Sequence, residues 1–153
     1  MSYKESNTLA FAGQISKVGE ALSRATGEQN VGATVVAAGR FVAIASPHGI
    51  KALSAVTDRL AGVVVKSHLQ TTYQQDEYLS VGKVGHGDGI WVVLEGEAQR
   101  GDLVHVRVVA GEDLPTGSVS AAAIADGETP QSIETDLVII NVADGLAEVT
   151  RKE

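Results

Sequence analysis

The 153-residue chain contains no cysteine and few aromatic residues. Without cysteine it has no disulfide bond, no thiolate nucleophile and no thiolate-ligated metal site. Phe, Trp and Tyr make up only 4% of the residues, so the 44% hydrophobic content comes mainly from Val, Ala, Ile and Leu. We therefore expect an aliphatic core, and the length is that of a single domain.

Basic residues are also scarce. There are 12 Lys and Arg against 19 Asp and Glu, which gives a formal net charge of −7. Such a chain repels phosphate, so nucleic acid is not an expected partner. Residues 1–10 lack the apolar core of a signal sequence, and no segment approaches the roughly 20 apolar residues of a membrane span. We expect a soluble protein that has no membrane partner.

Glycine is abundant, and it separates short runs of β-branched residues from residue 31 onward. Short runs of this kind, bounded by Gly, Pro and Asp-Gly, predict an all-β fold, a small antiparallel β-barrel or sandwich. The predicted strands cover residues 33–38, 40–45, 60–66, 78–84, 90–94, 103–109, 118–124, 137–142 and 146–150.

Residues 1–30 differ from the rest because they are polar and carry few large apolar side chains. We expect residues 1–30 to be an extended N-terminal arm and residues 31–153 to be the β domain, with strands only after Val31. Residues 16–25 have a weak helical spacing. The polar segment 67–77 is expected to be a loop, and residues 50–58 fit either a strand or a short helix.

Three local patterns refine the prediction. Val104, Val106 and Val108 alternate with residues that should face solvent, as in a half-buried strand. The unbroken run 63–65 predicts a strand that is central or buried on both faces. Asp88-Gly89 and Asp144-Gly145 lie between apolar strands and predict two hairpins, because Asp-Gly favours two-residue turns with positive φ.

The sequence offers no catalytic or metal-binding constellation, and we expect neither enzymatic activity nor a cofactor. The glycine-rich stretch 82–89 lacks the Gly-Lys-Ser/Thr ending of a phosphate-binding loop. Glu95 and Glu97 are expected in a solvated turn, and there is no Gly-x-Ser-x-Gly nucleophile motif. No histidine has a partner at metal-ligand spacing, so none is expected to be essential: His48, His68, His86 and His105.

Four segments resemble, in order and spacing, the structural cement proteins that decorate tailed-bacteriophage heads. They are Phe11-Ala12-Gly13-Gln14, residues 62–68, residues 89–92 and residues 101–104, and the resemblance covers roughly residues 9–149. It implies a compact β domain on the outside of the capsid, related in role to the lambda decoration protein. It also implies binding to the major capsid protein as a homo-oligomer, with a trimer favoured and a dimer possible.

Contacts with the capsid or a neighbouring subunit are expected from the arm, through Tyr3, Leu9, Phe11 and Gln14. An arm that orders on contact can add main-chain hydrogen bonds to a partner. The same side chains could instead pack on the chain's own domain. Two other functions are left open: a hybrid-β-barrel carrier or adaptor module modified at Lys83, and a small hydrolase or sugar-binding domain.

Overall fold

The fold is all-β in a computed structural model that describes residues 10–17, 25–111 and 114–152. Within these ranges there is no helix, so none is long and apolar enough to cross a membrane. The strands in chain order are β1 (Ile15–Lys17), β2 (Ala25–Asn30), β3 (Val36–Ala37), β4 (Phe41–Ser46), β5 (Gly49–Lys51), β6 (Leu60–Val64), β7 (Thr72–Tyr73), β8 (Tyr78–Gly82), β9 (Gly89–Val93), β10 (Leu103–Arg107), β11 (Val119–Ser120), β12 (Ala125–Asp126), β13 (Thr129–Pro130), β14 (Ser132–Ala143) and β15 (Leu146–Arg151).

Two sheets dominate the structure. Strands β2, β5, β4, β6 and β8 close into a barrel, in which only the β2–β5 pair is parallel. A six-stranded sheet has the order β1-β9-β15-β14-β10-β11, with antiparallel pairing throughout. Two short pairs, β3–β7 and β12–β13, complete the described strands. The predicted all-β fold is confirmed.

The core has two parts that meet at β6. Val64 belongs to an apolar cluster with Val42, Ile50, Leu79 and Val81 from the barrel strands. Its neighbour Val63 belongs to a larger cluster that includes many side chains of the six-stranded sheet. Successive residues of a strand point to opposite faces, so β6 contributes to both clusters. The prediction that this valine run is central is confirmed.

Strands also form before Val31, and the expectation that they begin only after it is wrong. Along β2, residues Ala25 to Gln29 pair with β8, while Gln29 and Asn30 pair with β5. Ile15 and Lys17 pair with β9. The boundary expected at residue 30 therefore falls within paired structure. A helix was considered for residues 16–25. Residues 16 and 17 of this segment belong to β1, and residues 18–24 lie outside the described part of the chain.

One of the two expected Asp-Gly hairpins is present. Asp144 and Gly145 have φ of 46° and 77° and join the antiparallel strands β14 and β15, as predicted. Asp88-Gly89 does not form a hairpin, because β8 belongs to the barrel whereas β9 belongs to the six-stranded sheet. The turn there is closed by Asp88, whose carboxylate accepts a hydrogen bond from the Gly85 N–H at 3.1 Å.

The ambiguous segment 50–58 contains the end of β5 followed by a turn. The Asp58 carboxylate accepts hydrogen bonds from the backbone N–H groups of Ser54 at 2.8 Å and Ala55 at 3.1 Å. Lys51 lies 3.6 Å from the same carboxylate. Burial acts to raise the pKa of Asp58, but the hydrogen bonds and the Lys51 charge outweigh it, so the pKa lies below its ordinary value.

Candidate functional surface

The N-terminal motif Phe11-Ala12-Gly13-Gln14 is docked on the β domain by backbone hydrogen bonds. The Gly13 N–H donates to the Trp91 carbonyl at 2.8 Å, and the Trp91 N–H donates to the Gln14 carbonyl at 2.9 Å. The Lys66 N–H donates to the Gly13 carbonyl at 3.0 Å. This motif therefore bridges β9 and the segment that follows β6.

Gly13 is required at this point by both its conformation and its surroundings. Its φ is 81°, which L-residues rarely adopt. A Cβ atom on Gly13 would lie 2.6 Å from the Val64 carbonyl oxygen and 2.9 Å from the backbone nitrogen of Gly39. Gly39 is equally restricted, because its Cβ would lie 2.5 Å from that of Ala12. Two glycines thus allow the motif to lie directly against the barrel.

Phe11 and Gln14, two of the four residues expected to bind a partner, lie in this docked motif. The Gln14 side-chain oxygen accepts a hydrogen bond from the Phe11 N–H at 3.1 Å, so that amide fixes the local turn. The Phe11 ring remains 48% exposed. Tyr3 and Leu9 lie outside the described residues. The structure thus leaves Phe11 available for contact while Gln14 supports it.

Phe11 forms one side of a shallow groove of about 340 Å³. The Lys66 ammonium group lies 4.6 Å from the centroid of the Phe11 ring, a cation–π distance. We call this concavity the Phe11 groove, and its lining residues are Phe11, Gly13, Gln14, Ile15, Val65, Lys66, Ser67 and His68.

The segment that follows the groove, residues 67–77, was expected to be a loop; it contains the short strand β7 and is otherwise a loop anchored by buried residues. Tyr73 is buried in the barrel cluster. The side-chain amide of buried Asn30 donates to the carbonyls of Tyr73 and Thr34, each at 3.1 Å. Leu69 near the start of the loop is 95% exposed, the highest value among the large hydrophobic side chains described. An anchored loop thus displays an apolar side chain next to His68.

A buried ion pair lies where β10 meets the segment after β9. Glu95 accepts hydrogen bonds from Arg107 through both carboxylate oxygens, at 2.8 and 3.0 Å, and from the Ser118 hydroxyl at 2.9 Å. The hydrogen bond to Glu95 raises the pKa of Arg107. The expectation of a solvated turn is therefore wrong for Glu95 but right for Glu97, which is exposed. Because every member is engaged within the domain, the cluster supports the fold.

The histidines lie on separate elements. His48, His68 and His86 are exposed, whereas His105 on β10 is half-buried with Nδ1 enclosed and without a hydrogen-bond partner among the described residues. The fully solvated face expected for β10 is therefore wrong, since Arg107 on that face is also buried. Within the described ranges, no three His, Asp or Glu side chains are grouped as metal ligands would be.

Lys83, the residue considered for a carrier module, is exposed after β8. A modified lysine of that kind sits at the tip of a hairpin. Here β8 pairs with β2 and β6, whereas β9 pairs with β1 and β15. Lys83 therefore does not occupy a hairpin tip.

Another concavity, of about 670 Å³, lies beside β14 and β15. Arg100, Asn141 and Glu148 are among its lining residues. The Glu148 carboxylate accepts a hydrogen bond from the Ser16 hydroxyl, and this contact joins β15 to β1 across β9. The carboxylate of Glu148, the acidic group in this concavity, thus has a hydrogen-bond partner in the fold.

Comparisons with known proteins point to one group. A family model described as XM1 gp53 minor capsid protein matches residues 1–151. A chain from the solved structure "The capsid of Myoviridae Phage XM1" superimposes with a TM-score of 0.69 at 17% sequence identity. The superposition covers 93% of this chain and 89% of that chain, and at this identity it shows a shared fold. No curated protein matches the sequence.

Proposed function

The chain belongs to the XM1 gp53 minor capsid protein family, and we propose that it decorates the outer surface of a bacteriophage head. Membership of this family gives the protein a structural role in a phage capsid and a location in the virion. The proposed role is more specific: the protein binds the major capsid subunits from outside and stabilises the contacts between them. The whole-length family match is the observation that carries the proposal.

Physical considerations support a decorating role. A capsid presents the same surface many times, so a small protein gains avidity when several copies are linked in one symmetric oligomer. A protein that binds only the assembled lattice stabilises that lattice by mass action. We propose a homotrimer, with a homodimer as the alternative, because a trimer can contact three capsid subunits at one junction.

We propose that the N-terminal residues contribute to this binding. Tyr3, Leu9 and Phe11 are large apolar side chains within the first 14 residues, and burying one such side chain contributes roughly 1.5–3 kcal/mol. Phe11 is already held in place with half of its surface exposed. Gln14 contributes by fixing the turn that presents Phe11. The contact region proposed for the capsid thus comprises residues 1–9 and Phe11.

Cryo-electron microscopy of heads with and without the protein tests the proposal. We expect difference density on the outside of the head, at positions where major capsid subunits meet. Heads that lack the protein should release DNA at a lower temperature, and added purified protein should restore the wild-type value. Density confined to the interior or to a single vertex would contradict the decorating role.

Light scattering after size-exclusion chromatography tests the oligomeric state. A trimer is expected in solution or on the head. A protein that is monomeric in solution and also occupies the capsid as single, separated copies would contradict the trimer.

A further inference from the structure

The Phe11 groove is open to solvent, and Leu69 directly follows its lining residue His68 in the chain. We call the groove and Leu69 together the Phe11 face. Lys66 and His68 line the groove, and none of its lining residues is Asp or Glu. The whole chain has 19 acidic and 12 basic residues. The lining of the groove therefore favours a carboxylate, in contrast to the net negative charge of the chain.

The same face offers apolar surface. Phe11 is 48% exposed and Leu69 is 95% exposed. Each of these side chains can lose apolar surface to water-excluding contact with a partner, and full burial of one contributes roughly 1.5–3 kcal/mol. The face can therefore bury apolar surface and pair a charge at the same time.

The groove is held together by contacts within the chain. The backbone of Lys66 is hydrogen-bonded to Gly13, and its ammonium group lies over the Phe11 ring. The loop beyond it is anchored through Asn30 and Tyr73. Little conformational freedom remains to be lost at the groove, and a preorganised site binds more tightly than a disordered one.

We infer that this face receives a segment of the major capsid subunit in which a large apolar side chain lies beside a carboxylate. The apolar side chain contacts Phe11 and Leu69, and the carboxylate pairs with Lys66 and accepts a hydrogen bond from His68. The inference rests on the proposed function and names the partner segment by its chemistry. It adds Lys66, His68 and Leu69 to the contact region.

The test uses full-length protein and heads purified from a phage that lacks the gene, with binding followed by co-sedimentation. Leu69→Ser removes the apolar contact, and Lys66→Gln removes the charge without changing the backbone. Val56→Ser, at an exposed apolar residue in a turn, and Lys83→Gln, at an exposed lysine outside the groove, are the matched controls. Melting temperatures of all variants establish that each one folds.

We expect Leu69→Ser and Lys66→Gln each to weaken binding to heads by about tenfold, the loss typical when an interface side chain that contributes to affinity is truncated. Lys66→Gln should also make binding less sensitive to salt, because it removes one charge pair. Both controls should bind like the wild type.

If the wild type decorates heads and the two groove variants bind equally well, the inference is wrong while the proposed function stands. A change in oligomeric state of Leu69→Ser, with head binding retained, would overturn it in favour of a contact between copies of this chain. If the wild-type protein does not bind heads at all, the proposed function itself fails, and the inference with it.

Discussion

Replacing Gly13 by alanine should undock the N-terminal motif from the β domain. A non-glycine residue at a left-handed φ costs roughly 1–2 kcal/mol. The added Cβ would also lie 2.6 Å from the Val64 carbonyl oxygen, a backbone atom that cannot rotate away. The motif can escape this clash only by giving up the three hydrogen bonds that join it to Trp91 and Lys66.

The size of the effect follows from those bonds. Each contributes about 0.5–1.5 kcal/mol, so the three together limit the loss to roughly 1.5–4.5 kcal/mol. We expect the free energy of unfolding to fall by about 2–4 kcal/mol, which corresponds to a melting temperature lower by about 4–16 °C in a chain of this length. Calorimetry measures the shift, and hydrogen exchange should show faster exchange of the Lys66 amide.

Gly145→Ala is the matched control. Gly145 has φ of 77°, close to the 81° of Gly13, but a Cβ there would meet no atom within 4 Å. The control therefore isolates the conformational penalty of about 1–2 kcal/mol. If Gly13→Ala melts no lower than Gly145→Ala and leaves the Lys66 amide protected, the motif is not part of the cooperative fold and the steric argument is refuted.

Three other experiments test separate features. Asp58→Asn should destabilise the protein most near neutral pH, because folding lowers the pKa of Asp58. The stabilisation that the Asp58 carboxylate provides is full above about pH 4 and is lost as the pH falls through the pKa of Asp58 in the folded protein. The melting temperatures of the variant and the wild type should therefore converge in acid. Glu95→Gln leaves the buried Arg107 without its counter-charge and should lower the free energy of unfolding by about 3 kcal/mol in a denaturant titration. Asp136→Asn, at the exposed pair with Arg151, should lower it by less than about 1 kcal/mol in the same titration. Deletion of residues 1–9 should leave the melting temperature unchanged and reduce the occupancy of heads. Deletion of residues 1–14 should lower both the melting temperature and the occupancy. Equal melting temperatures of the two truncated proteins would contradict the docking of Gly13 and Gln14.

Some strands could be predicted because their side chains alternate. β10 has Val104 and Val106 fully buried between less buried neighbours, a pattern that is visible in the sequence alone. The β14–β15 hairpin was also predictable, because Asp144 and Gly145 supply the positive φ that a tight turn requires. Both signals are local, so no knowledge of the tertiary structure is needed to read them.

The features that were missed depend on distant partners. β2 has the polar sequence Ala-Thr-Gly-Glu-Gln-Asn and is held by pairing with β8 and β5, so its strand character comes from backbone hydrogen bonds rather than from an apolar face. The Glu95–Arg107 pair joins residues on two elements, and no spacing rule connects them. The hairpin expected at Asp88-Gly89 was wrong because a turn sequence fixes local φ angles but does not decide which strands then pair.

Val63 and Val64 of β6 connect the two apolar clusters with Gly13 of the N-terminal motif. Val64 packs inside the barrel, Val63 packs against the six-stranded sheet, and the Val64 carbonyl leaves no room for a Cβ on Gly13. One strand, β6, therefore contacts both apolar clusters and the docked motif. A partner that fills the Phe11 groove contacts the motif directly, and because it binds only when the motif is docked, it also stabilises the arrangement of β6 and both clusters. The capsid contact and the folding of the domain are thus expected to be thermodynamically coupled through this strand.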